Sequence, residues 1–355
     1  MSAGQTPGAG PSARPGRLGV GVVGTGRVGA VLGSALRGAG HPVVAVSAVS
    51  EASRERAEAL LPGVPVLDVP EVVRRAELVL LAVPDDALAG LVAGLAEVGA
   101  WQAGQIVVHT SGRFGTDVLA PARAVGVIPL AVHPAMTFTG TSLDLARLAG
   151  CSFAVTGPAP VLPIGQALVV EIGGEPVVLQ EADRGLYHAA LAHGANHLVV
   201  LVAQAAGALA AAGVGDPGRM LGPLLEAALD GALRAEQPGD AGQRGPGAIT
   251  ALTGPVRRGD AGTVREHAEA LTTFAAASGA VDVPAGYRAL ARSATQRALA
   301  AGLIAPAQAT ELLDVISGMA AGMSPAHGSL QREEDSGGEQ PPGVDDGPTG
   351  PQEDA

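Results

Sequence analysis

The 355-residue sequence contains no lysine: all 22 of its basic residues are arginine. That excludes Schiff-base chemistry and any mechanism that needs a lysine acid or base. Proton transfer must fall to His, Tyr, Asp, Glu, water or the single cysteine, Cys151. One cysteine also excludes an intrachain disulfide framework and a zinc-ribbon site. Aromatic residues make up 2% of a chain that is 47% hydrophobic, so a large core must be aliphatic. The net charge is −12, and residues 331–355 carry most of it, with eight acids and one arginine. An acidic body argues against nucleic-acid binding through phosphate neutralisation. The opening "MSAGQTPGAGPSARPGR" lacks the apolar stretch of a secretory signal. The best membrane-span candidate, Leu198–Val214, is Ala- and Gly-rich, contains Gln204 and follows three histidines. It reads as a buried core helix. The expectation is a cytoplasmic protein with no membrane association.

What is present organises the chain into four parts. Residues 1–17 and 324–355 are Gly/Pro-rich, the latter also acidic, and are expected to be disordered. Between 18 and 180, short apolar runs alternate with helical patterns. The runs are "LGVGVV", "PVVAVS", "VPVL", "ELVLLAV", "QIVVHT", "VIPLAVHP", "CSFAV" and "PVVL". Most are continuous rather than alternating, as strands covered on both faces should be. The pattern predicts an α/β unit built on a doubly wound parallel sheet. From 181 to 323 the β-branched runs stop and Ala/Leu-rich segments predict an all-helical domain, with helices near 181–213, 216–235, 261–279, 284–301 and 305–320.

"LGVGVVGTGRVGAVLGSALRGAGHPVVAVS" reads as strand, glycine loop, helix and second strand. Its fingerprint is Gly24-Thr25-Gly26-Arg27-Val28-Gly29. Gly24 permits a tight turn, Gly26 lets a pyrophosphate approach the backbone, and Gly29 lets helix and strand pack closely. The pyrophosphate would rest on the N–H groups of the helix N-terminus. An Asp ending the second strand would bind the ribose 2′-hydroxyl of NAD. Here Ser47 and Ser50 occupy that turn, with Arg54 and Arg56 near. This favours NADP over NAD, with Glu51 as the competing signal.

In an open α/β sheet, ligands bind beyond the carboxyl ends of the strands. "AVPDDAL" puts Val83 and Pro84 there to line the cofactor, with Asp85 or Asp86 as a helix N-cap. "VVHTSGRFG" puts His109, Thr110, Ser111 and Gly112 near the nicotinamide. "AVHPAMTFTG" carries His133, Thr137 and Phe138 as candidate substrate contacts. Each histidine has a plain structural alternative, a ring satisfied by a backbone carbonyl. In the helical domain, "GPGAITALTGPVRRGD" offers Thr253 and Arg258 to the substrate, the arginine as a carboxylate clamp.

"YHAALAHGANH" heads the first long helix with three of the eight histidines. At ~100° per residue, Asn196 falls ~80° from His188 and His193 ~140°, whereas His197 is ~180° away. His188, Asn196 and His193 thus share a flank that His197 does not. The helix is apolar over the rest of its circumference, which predicts a central, buried position. Unpartnered polar groups there would cost ~1–3 kcal/mol each, so a ligand, a polar site or neighbouring carbonyls should meet this flank. His193 and His197 have i,i+4 spacing but lack the Glu of HExxH, and no metal is expected.

With the GTGRVG loop, "AVPDDAL", "VHTSG", "HPAMTF" and a helical C-terminal half in that order, the chain resembles the actinobacterial Rossmann-like proteins with a C-terminal domain of unknown function 2520. These are relatives of 6-phosphogluconate dehydrogenase, pyrroline-5-carboxylate reductase and ketopantoate reductase. The resemblance covers about residues 18–322. It implies NADP(H) binding and a homodimer formed through the helical domain. In those relatives a lysine and an asparagine on the first long helix often flank the reacting carbon. Asn196 resembles the asparagine, but Ala192 stands where the lysine should be. Val49 stands where the family's second strand often ends in arginine, which counts against NADP. Some members resemble a ketopantoate reductase, making 2-dehydropantoate a candidate substrate.

The functional expectation is an NADP-dependent oxidoreductase that moves a hydride between NADP(H) and a small carbonyl compound, a 2-oxo acid first. Asn196 would orient the carbonyl, His188 or His193 would act as general acid, and Ser111 would hydrogen-bond the substrate. The rival expectation is a non-catalytic NADP(H)-binding sensor or scaffold, favoured by the missing lysine.

Overall fold

The computed structural model describes residues 17–237 and 245–321. The tails expected at 1–17 and 324–355 lie outside the described residues, apart from Arg17. The chain falls into two compact units that divide between Ala203 and Gln204.

Among the described residues the first unit holds seven strands: β1 (Val20–Val23), β2 (Val43–Ser47), β3 (Leu78–Leu81), β4 (Ile106–His109), β5 (Ile128–Pro134), β6 (Ser152–Thr156) and β7 (Glu175–Val178). They form one sheet in the order β2-β1-β3-β4-β5-β6-β7. β1 to β5 are mutually parallel, as the alternating pattern predicts. β6 pairs antiparallel with β5, and β7 runs parallel to β6. The sheet is therefore mostly rather than wholly parallel. The run "VPVL" is not a strand. Pro65 lacks a backbone donor, and only Val66 makes a bridge, to Val46.

Helices α1 (Arg27–Gly38), α2 (Glu51–Leu60), α3 (Val69–Arg75), α4 (Asp85–Glu97), α5 (Ala120–Arg123), α6 (Leu143–Arg147) and α7 (Leu162–Glu171) fill the connections. Two clusters of buried aliphatic side chains result. Val20, Val22, Leu78 and Leu80 belong to one, and Val23, Val79 and Leu81 to the other. Successive strand residues point to opposite faces, so burial on both faces explains why the strand sequences are apolar without alternation. Pro84, not an aspartate, is the N-cap of α4; Asp85 and Asp86 sit in its first turn, where the helix dipole favours acids.

A short 3-10 turn (Glu181–Asp183) leads into α8 (Arg184–Ala211), which runs through the division between the units. The second unit continues with α9 (Pro217–Glu236), α10 (Gly254–Arg258), α11 (Ala261–Ser278), α12 (Asp282–Ala300) and α13 (Pro306–Ala321). Val256, Val264, Ala298, Leu312 and Ile316 form its core. The burial expected of α8 is not found. Arg184 is its one fully buried residue among those described, while Leu186 and Val199 are 76% and 68% exposed. The apolar circumference that suggested a central helix has no covering layer among the described residues.

Candidate functional site

The loop from β1 to α1 has the geometry that a dinucleotide phosphate needs. Gly24 has φ +91°, and a side chain there would lie 2.6 Å from the Ala82 carbonyl oxygen. A Cβ on Gly29 would run into the Gly24 carbonyl oxygen and the Ala82 side chain. Gly26 precedes α1 with open space where its side chain would be, so an anion can reach the helix N-terminus. Thr25 is fully buried, and its hydroxyl donates to the Ser47 and Ser53 carbonyls at 3.1 and 3.0 Å. The Gly24 N–H donates to Ser47 Oγ at 3.0 Å. Ser50 caps α2 by accepting from the Ser53 N–H. These hydroxyls brace the loop against the end of β2, a task that composition alone did not reveal. Val28 and Val83 pack against the two cores. Arg27 and Arg54 are exposed. Arg27 and Arg56 come together at Gly140, whose side chain would lie 2.9 Å from Arg27 Cγ and 3.0 Å from Arg56 Nε.

His109 and Ser111 are buried at the end of β4. The Ser111 N–H donates to His109 Nδ1 at 3.3 Å, so Nε2 carries the proton and donates to the Gly115 carbonyl at 2.8 Å. His109 is thus the carbonyl-satisfied histidine of the structural alternative, and it shapes the 110–116 loop from within. Burial, reinforced by the nearby Arg184 charge, lowers its pKa to about 4. Thr110 follows it, with its N–H on the Leu81 carbonyl. Ser111 Oγ accepts from the Phe114 N–H.

Arg184, the first residue of α8, is 1% exposed. Its Nε donates to Thr156 Oγ1, Nη1 to the Ser111 carbonyl, and Nη2 to the Ala131 and Ala154 carbonyls, all at 2.9–3.0 Å. These acceptors come from β5, β6 and the β4 loop, so one guanidinium pins the helix to the carboxyl edge of the sheet. Its charge rests on dipoles rather than on a carboxylate. Glu181, just before the helix, accepts from the Thr116 N–H at 2.7 Å and fixes the same loop.

From that anchor, i,i+3 and i,i+4 steps put the next residues on one stripe. Tyr187 OH lies 2.8 Å from His133 Nδ1. The ring of His188 stands edge-on to that of His133, with centroids 6.3 Å apart. A cavity of about 420 Å³ opens beside them, lined by His133, Thr137, His188, Ala192 and Asn196 among others. Burial lowers the His133 pKa to about 4, with the Arg184 charge as the next cause.

His188 and Asn196 therefore meet one cavity, together with His133 from β5. His193 does not join them: it is exposed and bonds His197, Nδ1 to Nδ1, at 2.8 Å. Thr253 and Arg258 belong to the second unit, where Arg258 is exposed and its Nη2 lies 4.0 Å from Asp260. Sequence reasoning missed Arg184 and Tyr187. Their signal was present: a lone arginine one turn before His188 and the first of only two tyrosines directly before it, at the head of an apolar helix.

The Rossmann-like domain family matches residues 4–134, and the Domain of unknown function (DUF2520) matches residues 151–294. No curated protein matches this sequence. Among solved structures, a candidate NADP oxidoreductase from Bacteroides fragilis is 20% identical with a TM-score of 0.63, over 78% of this chain and 98% of that one. An imine reductase from Pseudomonas sp. is 18% identical with a TM-score of 0.53, over 87% and 100%. A reductive aminase from Aspergillus terreus, solved with NADPH and ethyl-5-oxohexanoate, is 15% identical with a TM-score of 0.52, over 86% and 95%. At such identities the likeness is one of fold. The chain thus matches a Rossmann-like domain at residues 4–134, followed by a DUF2520 domain at residues 151–294.

Proposed function

We propose that the protein is an NADP(H)-dependent oxidoreductase that reduces the C=O or C=N bond of a small organic molecule. The observation that carries this reading is the pairing of two features on one sheet edge: a glycine loop open to a dinucleotide pyrophosphate and a cavity lined by His133, His188 and Asn196. NADPH, when bound, supplies the hydride. Gly24, Gly26 and Gly29 would hold its pyrophosphate, and Arg54, with the Arg27 and Arg56 pair at Gly140, would favour the 2′-phosphate of NADP over NAD. Asn196 orients the reacting group, and His188 supplies the proton that the hydride acceptor takes up. His193 is no longer a favoured donor, because it faces away from the cavity. The imine reductase and reductive aminase folds support a carbonyl or imine substrate. Among the described residues, the lining of the cavity contains no arginine. A 2-oxo acid such as 2-dehydropantoate would therefore need a carboxylate clamp, Arg258 supplied by a partner subunit being the candidate, whereas a ketone or cyclic imine needs none.

The same reading includes a homodimer. α8 exposes apolar side chains, among them Leu186, Leu198, Val199 and Val200, and with its preceding turn (Glu181–Ala211) it is long and apolar enough to cross a membrane. Asn196, His193, His197 and Gln204 interrupt that surface, which supports a protein partner over lipid.

The test is NADPH oxidation by the purified chain across ketones, cyclic imines and 2-oxo acids. Turnover on ketones or imines is expected, with Asn196→Ala losing turnover but keeping NADPH affinity. Tight NADPH binding without turnover on any compound would instead favour a sensor.

A further inference from the structure

The pocket histidine that lies closest to the sheet is not the one the sequence marked as acid. His133 is the penultimate residue of β5, and its two ring nitrogens have different surroundings. Nδ1 meets the Tyr187 hydroxyl at 2.8 Å. Nε2 lies on the side of Gly112, where a side chain would come within 3.0 Å of it. That side chain would also lie 2.7 Å from His188 Cδ2, so the glycine keeps the space between the two rings open, and both rings line the cavity. A phenol donates a hydrogen bond better than it accepts one, and a bare imidazole nitrogen accepts well. The Tyr187 hydroxyl therefore donates to Nδ1, which leaves the imidazole proton on Nε2. The neighbouring Arg184 guanidinium, buried and held by carbonyl dipoles, opposes a second positive charge on the ring.

We propose that His133 is a neutral electrophile: locked by Tyr187 as the Nε2–H tautomer, it donates that hydrogen bond to the substrate oxygen or nitrogen as hydride reaches the carbon. This rests on the oxidoreductase reading and deepens it. As the new C–H bond forms, the π pair of the C=O or C=N bond moves onto the heteroatom. His133 stabilises that developing charge and keeps its own proton; the proton that completes the product comes from His188. Arg184, close enough for its charge to lower the His133 pKa, adds a fixed positive field at the site. Tyr187 acts through His133 and is a positioning residue. A substrate whose reacting group is already cationic, such as an iminium ion, gains nothing from this arrangement, so the site suits ketones and neutral imines.

Nitrogen-15 NMR of the histidine-labelled full chain, with the His133 signals assigned by loss in His133→Gln, reads the tautomer directly. The expected result is Nε2 protonated and Nδ1 bare from pH 7.5 down to pH 5.5, with that preference lost in Tyr187→Phe. In NADPH turnover, His133→Ala should lower kcat by about 100-fold with little change in KM or NADPH affinity. His133→Gln, which can place an N–H near the Nε2 position, should recover part of the loss. A His133 ring that is protonated on Nδ1, or that titrates near its ordinary value, overturns the proposal and leaves the oxidoreductase reading standing. So does an unchanged kcat in His133→Ala. Absence of turnover by the unmutated chain on every carbonyl and imine overturns the reading and the proposal together.

Discussion

Arg184 shows how one side chain can serve architecture and electrostatics together. Its five N–H donors form a rigid fork, and the structure spends them on four acceptors from three segments. Removing it strands those buried acceptors. Arg184→Ala should cost about 3–5 kcal/mol of stability, the usual penalty for breaking a buried charged network, read as a shift of the denaturation midpoint in urea. The same charge helps keep His109 and His133 neutral, with their pKa values lowered to about 4. In the unfolded chain both would titrate near 6.5. Between those values the unfolded state binds more protons, so stability is complete above pH ~6.5 and falls as the pH drops toward ~4, by at most ~1.4 kcal/mol per pH unit for each histidine. Thermal unfolding followed from pH 7.5 to 4.5 should show this decline. His109→Asn, which cannot titrate, should make it shallower. The carboxyl groups of Asp144 and Glu171 are held below their usual range by hydrogen bonds, and for Glu171 also by the Arg17 charge, so their contribution is lost only at still lower pH.

At the scale of elements, the glycine loop and α8 differ in what local chemistry could reveal. The loop lies between adjacent elements, and Gly24 and Gly29 have steric reasons within a few residues of themselves or at Ala82, just past β3, while Gly26 leaves open space. Gly29→Ala should therefore displace the loop and raise the NADPH Kd by at least about tenfold, since a well-placed charge-assisted contact is worth ~1.5–3 kcal/mol. Fluorescence titration measures this, and a far-UV spectrum like that of the unmutated chain would separate a bent loop from a lost fold. α8 carries the site on one stripe, with Arg184, Tyr187, His188 and Asn196 in order. A helical wheel correctly brought His188 and Asn196 to one flank. It also admitted His193, because angle alone cannot say how wide a face the neighbouring sheet will meet. The helix was readable as apolar all round, but not as exposed: periodicity reports what needs covering, not whether the same chain covers it.

At the scale of the molecule, that exposed surface bears on the proposed homodimer. Leu186, Val199 and Val200, at 76%, 68% and 48% exposure, would leave a large apolar patch in water on a lone chain. Light scattering after gel filtration should give twice the chain mass, and Val199→Glu should shift the protein toward monomer. A monomer that sediments with lipid vesicles would instead mark α8 as a membrane element. The fingerprint glycines, the strand runs and the Asn196 helix determined the fold class and the place of the dinucleotide loop, because those signals act over one turn or one strand. Only tertiary structure decided that β6 and β7 reverse, that His109 is a brace while His133 faces the cavity, and that Arg184 and Tyr187 hold it there. Those outcomes depend on which distant backbone carbonyls and ring nitrogens meet across the sheet edge, and residues 111, 133, 156 and 184 become neighbours only when the chain folds.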